Sequence, residues 1–185
     1  MRYFTSLLVF VLGPICIPAK AQSYTENNFK NFIFLQVNDH LEKRGTESFS
    51  YNYPDFAVSY ERRILNFGRN NLLAGIRTGA YMEYVLTGYG WEHPAKTRFF
   101  LGFTPSYRVD VSKRVKIQVN AIWDVLLPND YDETWSYLAI EPSFNFYFTD
   151  NFYGAVSATM GSFIWFEPRA DMIKAGLKVG YAFGK

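Results

Sequence analysis

The chain has 185 residues, with 19 Lys and Arg against 17 Asp and Glu, two His and a single Cys, and 19% of its side chains are aromatic. So even a charge balance gives no electrostatic reason to contact nucleic acid, and one cysteine excludes an internal disulfide or a thiolate-clustered metal site. No stretch after the N-terminus carries the eighteen or so unbroken apolar residues of a membrane helix, so strands are the only membrane-spanning element open to it.

Residues 1–21 read as a secretory signal. Arg2 supplies the positive start, Leu7 to Leu12 form an apolar run far too short to span a bilayer, and Ala19-Lys20-Ala21 places small residues where a signal peptidase reads. Cleavage is expected before Gln22, with residues 22–185 as one mature domain. Cys16 falls in the discarded segment, and Ile15 occupies the position where lipoprotein processing wants a small residue. Loss of Arg2 and Lys20 leaves seventeen basic and seventeen acidic side chains.

From Phe29 onward, segments of about ten residues alternate apolar with polar or small side chains, the two-residue period of a strand between two environments. Eight strands are predicted, over 29–38, 55–65, 71–85, 97–110, 115–127, 135–149, 152–165 and 172–183. Their connections alternate in length. Asn66-Phe67-Gly68, Val111-Ser112-Lys113 and Thr149-Asp150-Asn151 have the chemistry of tight turns, whereas 39–54 and 86–96 are long. A weak repeat marks the strands that run toward the short turns: Val58-Ser59-Tyr60, Pro105-Ser106-Tyr107, Pro142-Ser143-Phe144 and Val179-Gly180-Tyr181. The aromatic precedes the turn each time, as a ring at lipid headgroup level would. Pro105 and Pro142 each remove a ladder donor, so irregular pairing is expected beside them.

The two faces differ in kind. In the last strand Ile173, Ala175, Leu177, Val179, Tyr181 and Phe183 alternate with Lys174, Gly176, Lys178, Gly180 and Ala182. Strand three sets Gly75, Arg77, Gly79, Tyr81 and Glu83 on one face, and strand five opposes Val115, Ile117, Val119, Ala121, Trp123, Val125 and Leu127 to Lys116, Gln118, Asn120 and Asp124. Charges interleaved with glycine suit a narrow lumen, and the bulky face suits lipid. A soluble barrel would carry the opposite polarity. Ile122, Leu126, Phe100 and Phe163 break the pattern on the polar face, and Arg62 breaks it on the apolar one.

On these residues the chain resembles the small outer-membrane barrel families typified by OmpX and the OmpA membrane domain, and in particular the outer-membrane β-barrel proteins of Bacteroidota. The resemblance implies an all-β, eight-stranded, antiparallel up-and-down transmembrane β-barrel, with short periplasmic turns, longer external loops and both termini in the periplasm. It also implies that Leu177, Val179, Tyr181 and Phe183 form the terminal signal read by the barrel-assembly machinery, although Gly184 and Lys185 follow the final aromatic.

The inward-facing Glu61, Arg77, Glu141, Lys178, Asp124 and Lys174 are candidates for a salt-bridged network that plugs the lumen, because an unpaired buried charge is costly. Glu61 and Arg77 are expected to pair, with Glu141 across the bore as the alternative partner for Arg77. Tyr51, Tyr53, Tyr89 and Trp91 are candidate loop contacts for a protein or glycan partner. His40 and His93, near Asp39, Ser48, Ser50 and Glu92, are the only basis for an enzyme, such as one acting on lipid A, and match no hydrolytic or acyl-transfer motif. The sequence therefore favours a non-enzymatic outer-membrane barrel without cofactor or metal, in contact with lipid and serving a structural or binding role or as a subunit of a larger assembly. A lipid A-modifying enzyme and a narrow pore remain the alternatives.

Overall fold

The computed structural model describes residues 29–44, 50–83, 96–128, 135–164 and 170–184. They form eight strands: β1 (Asn31–Arg44), β2 (Ser50–Phe67), β3 (Asn70–Glu83), β4 (Lys96–Asp110), β5 (Val115–Leu126), β6 (Trp135–Tyr147), β7 (Phe152–Ile164) and β8 (Ala170–Phe183). Each strand pairs antiparallel with its chain neighbour, and β1 pairs with β8 from Asn31↔Phe183 to Arg44↔Ala170. The sheet is thereby closed and has no free edge, as a backbone out of reach of water requires.

The turn at Gly68-Arg69 uses a positive φ at Gly68. In the turn after β4 the Ser112 hydroxyl accepts from the Val115 amide at 3.0 Å, and in the turn after β6 the Thr149 hydroxyl accepts from the Phe152 amide at 2.9 Å. The tight turns, the start of β1 and the end of β8 lie together at one end of the barrel, here the turn end; the opposite end is the loop end.

Side chains alternate along the strands except at two bulges. Ile33, Leu35, Val37, Leu101, Phe103, Trp123, Leu138, Phe144, Met160, Leu177 and Val179 point outward and are exposed, while the intervening residues are buried inside. The residues that broke the sequence pattern are inside too. Phe100, Ile122, Leu126 and Phe163 meet Tyr81, Tyr137 and Met172 in an apolar cluster toward the loop end. In the repeat, Ser59, Ser106, Ser143 and Gly180 face in, while Tyr60, Tyr107, Phe144 and Tyr181 stand outside near the turn end.

One expectation is corrected. Residues 39–54 are not one long connection: β1 continues to Arg44 and β2 begins at Ser50. The register against β2 shifts between Asn38 and His40, with Tyr53 and Pro54 opposite Asp39 alone. Proline lacks the donor that a ladder would use, so Pro54 is accommodated at a bulge and the strands pair again beyond it. Pro105 and Pro142 bring the expected irregular pairing, without a register shift. Pairing is intact on one side, at Ala74↔Pro105 and Val119↔Pro142, and interrupted only on the other, toward β5 and β7 respectively. The second true bulge is at Ile64, between Arg63↔Leu73 and Leu65↔Leu72.

Glycines thin the inner wall where side chains from flanking strands must meet. Gly102 stands in register between Arg77 of β3 and Asp124 of β5, and a Cβ there would collide with the Asp124 carboxylate and with Cγ of Arg77 at 2.9 Å. Gly102→Val should lower the urea-unfolding free energy by about 3 kcal/mol. The volume-conserving outward substitution Leu101→Ile should leave the midpoint nearly unchanged, and equal midpoint shifts would show that the interior has room to yield.

Candidate functional site: a charged lumen between two aromatic lids

The interior is stratified. At the turn end Phe29, Phe32, Phe34, Leu73, Tyr147, Tyr153 and Ala182 pack together, with Tyr147 and Tyr153 stacked at 4.9 Å between ring centroids. Toward the loop end Tyr137 and Phe163 lie 5.3 Å apart, and Tyr81 meets Phe163 edge-on at 6.1 Å. Between these lids the lumen is filled by buried polar and charged side chains.

Glu141 of β6 is the hub of that layer. Its carboxylate accepts from Lys178 Nζ, from Gln36 Nε2 at 2.5 Å, from Asn120 Nδ2 at 2.8 Å and from Thr159 Oγ1 at 3.0 Å, so donors from β8, β1, β5 and β7 converge on one group. The Gln118 amide continues the chain, 2.7 Å from Asn120 Oδ1 and 2.8 and 3.1 Å from the two oxygens of Glu61. On the other side Gln36 Nε2 reaches Asn38 Oδ1 at 2.7 Å, Asn38 donates to Asp55, and Asp55 also holds Lys174. One continuous network thus runs from Glu61 through Gln118, Asn120, Glu141, Gln36 and Asn38 to Asp55, circling the bore.

The candidate lumen residues are placed as follows. Glu61, Arg77, Asp124, Glu141, Lys174 and Lys178 are all buried inside. Lys178 meets Glu141, Lys174 meets Asp55, and Arg77 meets Asp124 at 3.4 Å, a charge contact without hydrogen-bond alignment. The expected pairing of Arg77 with Glu61 is therefore corrected, as is the alternative with Glu141. Register is the reason: Ser59, not Glu61, lies opposite Arg77, while Gly102 on its other side lets Arg77 reach across β4 to Asp124. Glu61 lies opposite Gly75 and is held by the Gln118 amide.

Each cation also touches a lid. Lys174 lies 4.8 Å from the Tyr137 ring centre, Arg77 5.1 Å from Phe100, Lys178 4.9 Å from Phe34 and Arg108 4.2 Å from Phe32. The guanidinium of Arg108 and the ammonium of Lys116 share Asp110 near the turn end, at 3.5 and 2.9 Å. Sequence reasoning passed over Asp55, Gln36 and Asn38. The signal for the two amides was their alternation with Ile33, Leu35 and Val37, and Asp55 was hidden by its position after Pro54.

Tyr51 and Tyr53 lie in β2, with Tyr51 opposite Leu41, and so belong to the barrel wall and not to a free loop. His40 lies in β1 between Asn52 and Lys174 in register. Tyr89, Trp91 and His93 fall outside the described residues. Leu177, Val179, Tyr181 and Phe183 all face outward on β8. Among the described residues no three His, Cys, Asp or Glu side chains converge as metal ligands.

Glu141→Ala would strand the Lys178 ammonium and three neutral donors in the bore. Destabilisation of about 3–5 kcal/mol is expected, with a clear coupling term in the Glu141→Ala/Lys178→Ala cycle by urea titration in detergent micelles. Arg77→Ala should couple in the same way to Asp124→Ala. Coupling of Arg77 to Glu61 stronger than to Asp124 would contradict the observed pairing.

No protein-family model matches the chain, and no curated protein sequence matches it. Solved structures do. Neisserial surface protein A superposes with a TM-score of 0.64 at 12% identity, over 83% of this chain and 97% of that one. Ail, the attachment invasion locus protein of Yersinia pestis, gives 0.51 at 12% identity, over 84% and 99%. The same protein in complex with the heparin analogue sucrose octasulfate gives 0.51 at 11% identity, over 84% and 99%. At such identities it is the fold that is shared. With its apolar outer wall and closed polar interior, the chain is an eight-stranded antiparallel transmembrane β-barrel whose fold is similar to that of the small outer-membrane barrels.

Proposed function

We propose that the protein is exported with loss of residues 1–21 and serves as a non-enzymatic integral outer-membrane barrel whose lumen is sealed by its own side chains. The observation that carries this reading is the hydrogen-bonded circuit from Glu61 to Asp55, closed off by aromatic clusters at both ends. A conducting path would have to break bonds that each leave a buried charge unsatisfied, and eight strands leave no spare bore beside them.

Turns and termini are assigned to the periplasm, because outer-membrane barrels carry their short connections there. In this reading β8 is the strand delivered last, with Leu177, Val179, Tyr181 and Phe183 as the face read by the assembly machinery, and its full-length ladder with β1 completes closure. The specific role then rests at the loop end, in a binding contact or as a subunit of an outer-membrane assembly, with Tyr51, Tyr53, Tyr89 and Trp91 as candidate contacts.

After carbonate or urea washing the mature chain should remain in the outer-membrane fraction, and its gel mobility should shift on heating. Recovery in the soluble periplasmic fraction would overturn the reading. In planar bilayers the wild-type barrel should give no steady conductance, while Glu141→Ala should admit small or flickering currents; steady wild-type channels would reinstate the pore. Lipid A from a deletion strain should be unaltered by mass spectrometry. A changed pattern restored by wild type but not by His40→Ala or His93→Ala would establish the enzyme instead.

A further inference from the structure

The rim at the turn end carries charge unevenly. Lys30, Arg62, Lys113 and Arg114 are exposed there and Arg69 is half-buried, whereas Arg63, opposite the interior Leu73, turns inward and donates to Asn71 Oδ1 at 3.4 Å. These cations occupy three of its four corners: the start of β1 beside the end of β8, the β2–β3 turn and the β4–β5 turn. Of the two described carboxylates at this level, Asp110 is engaged by the interior cations Arg108 and Lys116, and Asp150 lies on the β6–β7 turn, diametrically opposite the β2–β3 turn. The β6–β7 corner has apolar rings, Phe148 and Phe152, but no cation among residues 148–152.

The depth of Arg62 gives this charge a meaning. Its side chain points outward, two residues beyond Tyr60 on the same face and opposite Asn31, which pairs in turn with Phe183. Tyr60 donates to Asn31 Oδ1 at 2.7 Å and its ring lies 6.5 Å from that of Phe183, so Arg62 stands at the level of an aromatic belt. Apolar surface does not end there. The bulge turns Ile64 and Leu65 outward together, at 54% and 46% exposure, and Phe67, farther still along β2, is 62% exposed. Val111, in the next turn, is exposed as well. Apolar side chains thus lie farther from the bilayer centre than the guanidinium, which places Arg62 within the headgroup layer and not beyond it in water.

We propose that this rim is a docking surface for anionic phospholipid headgroups of the adjoining leaflet, with the lipid phosphodiester received by Arg62 and its neighbours and the Ile64-Leu65-Phe67 knob seated among the upper acyl carbons. Guanidinium groups match phosphate oxygens in a two-pronged geometry, and the four exposed cations Lys30, Arg62, Lys113 and Arg114 select headgroups of net negative charge over zwitterionic ones. The surface is directional: lipid is held at the β1, β2–β3 and β4–β5 corners, leaving the β6–β7 corner as the less lipid-ordered side. The inference rests on the membrane insertion proposed above.

The test is spin-labelled lipid resonance on the full mature barrel in phosphatidylcholine vesicles, comparing the motionally restricted fraction of labelled phosphatidylglycerol with that of labelled phosphatidylcholine. Wild type should prefer the anionic label several-fold, since each interfacial cation contributes roughly a fivefold factor at most, and high salt should abolish the preference. Lys30→Gln/Arg62→Gln/Lys113→Gln/Arg114→Gln should bring the ratio close to one. Lys113→Gln/Arg114→Gln, confined to a turn and therefore harmless to strand register, should lower it partway. Equal restriction of both labels by wild type, or a ratio untouched in both variants, would overturn the proposal. Loss of the preference in inorganic phosphate but not in chloride of matched ionic strength would reassign the rim to a soluble phosphate and overturn it equally. No restricted component with either label would instead defeat membrane insertion itself, and this inference with it.

Discussion

Closure of the sheet between β1 and β8 is the constraint from which the remaining features follow. Backbone groups in hydrocarbon have no water to turn to, so every strand needs two neighbours, and with eight strands the ring that results encloses only a narrow bore. Side chains on the inner face are then confined with one another. An isolated carboxylate there would lose several kcal/mol of hydration without return, and Glu141 shows the alternative, four donors from four strands converging on two oxygens. The network is therefore a consequence of closure as much as a contributor to it. The same residues on an open sheet would face water and owe each other nothing.

Within that constraint small residues decide who meets whom. Pairing in a barrel interior passes across strands, because the neighbour in register is often a glycine and the next strand supplies the partner. Arg77 reaches Asp124 over Gly102, and the Tyr153 ring lies over Gly180 between Phe34 and its own strand. A side chain at either glycine would separate the pair by the width of a methyl group. The amides Gln36, Asn38, Gln118 and Asn120 serve the complementary purpose of joining the carboxylates to one another, Asn38 and Asn120 each accepting from an amide and donating to a carboxylate. The Gln118 amide ties Glu61 into this set, beside the charges of Lys178 and Arg108.

This division explains what was legible in the sequence. A two-residue period depends only on the local backbone, so β4 to β8, the tight turns and the inward position of Glu141 or Lys178 could be read directly from alternation. The partner of Arg77 could not, since it depends on the relative stagger of three strands, which no single strand encodes. Nor could the extension of β1 and β2: Asp39, Pro54 and the charges between them look like a loop, whereas the bulge at Pro54 absorbs the missing donor and the ladder to β8 runs on without a break. Phe100, Ile122, Leu126 and Phe163 could be placed on the inner face, inside the ends, from alternation alone. That they meet Tyr81, Tyr137 and Met172 in one lid could not, because a cluster drawn from several strands depends on their relative stagger.

Stratification also bears on what the barrel can present to a partner. A bore held by one connected set of hydrogen bonds resists the shape changes that an open, water-filled cylinder would tolerate, because shifting any strand disturbs groups on several others. At the loop end this rigidity is carried outward along β1, which stays in register with β8 through Arg44 and regains β2 beyond the bulge at His40↔Asn52. Residues 50–54, including Tyr51 and Tyr53, are accordingly fixed to a three-strand ladder. A contact made from such a ladder loses little conformational freedom on binding compared with one made from a free loop of the same composition, so any partner met there gains affinity from order already present in the wall. The connected interior and the extended β1–β2 hairpin thus act in one direction, and the stiffness of the one is available where the strands of the other leave the barrel.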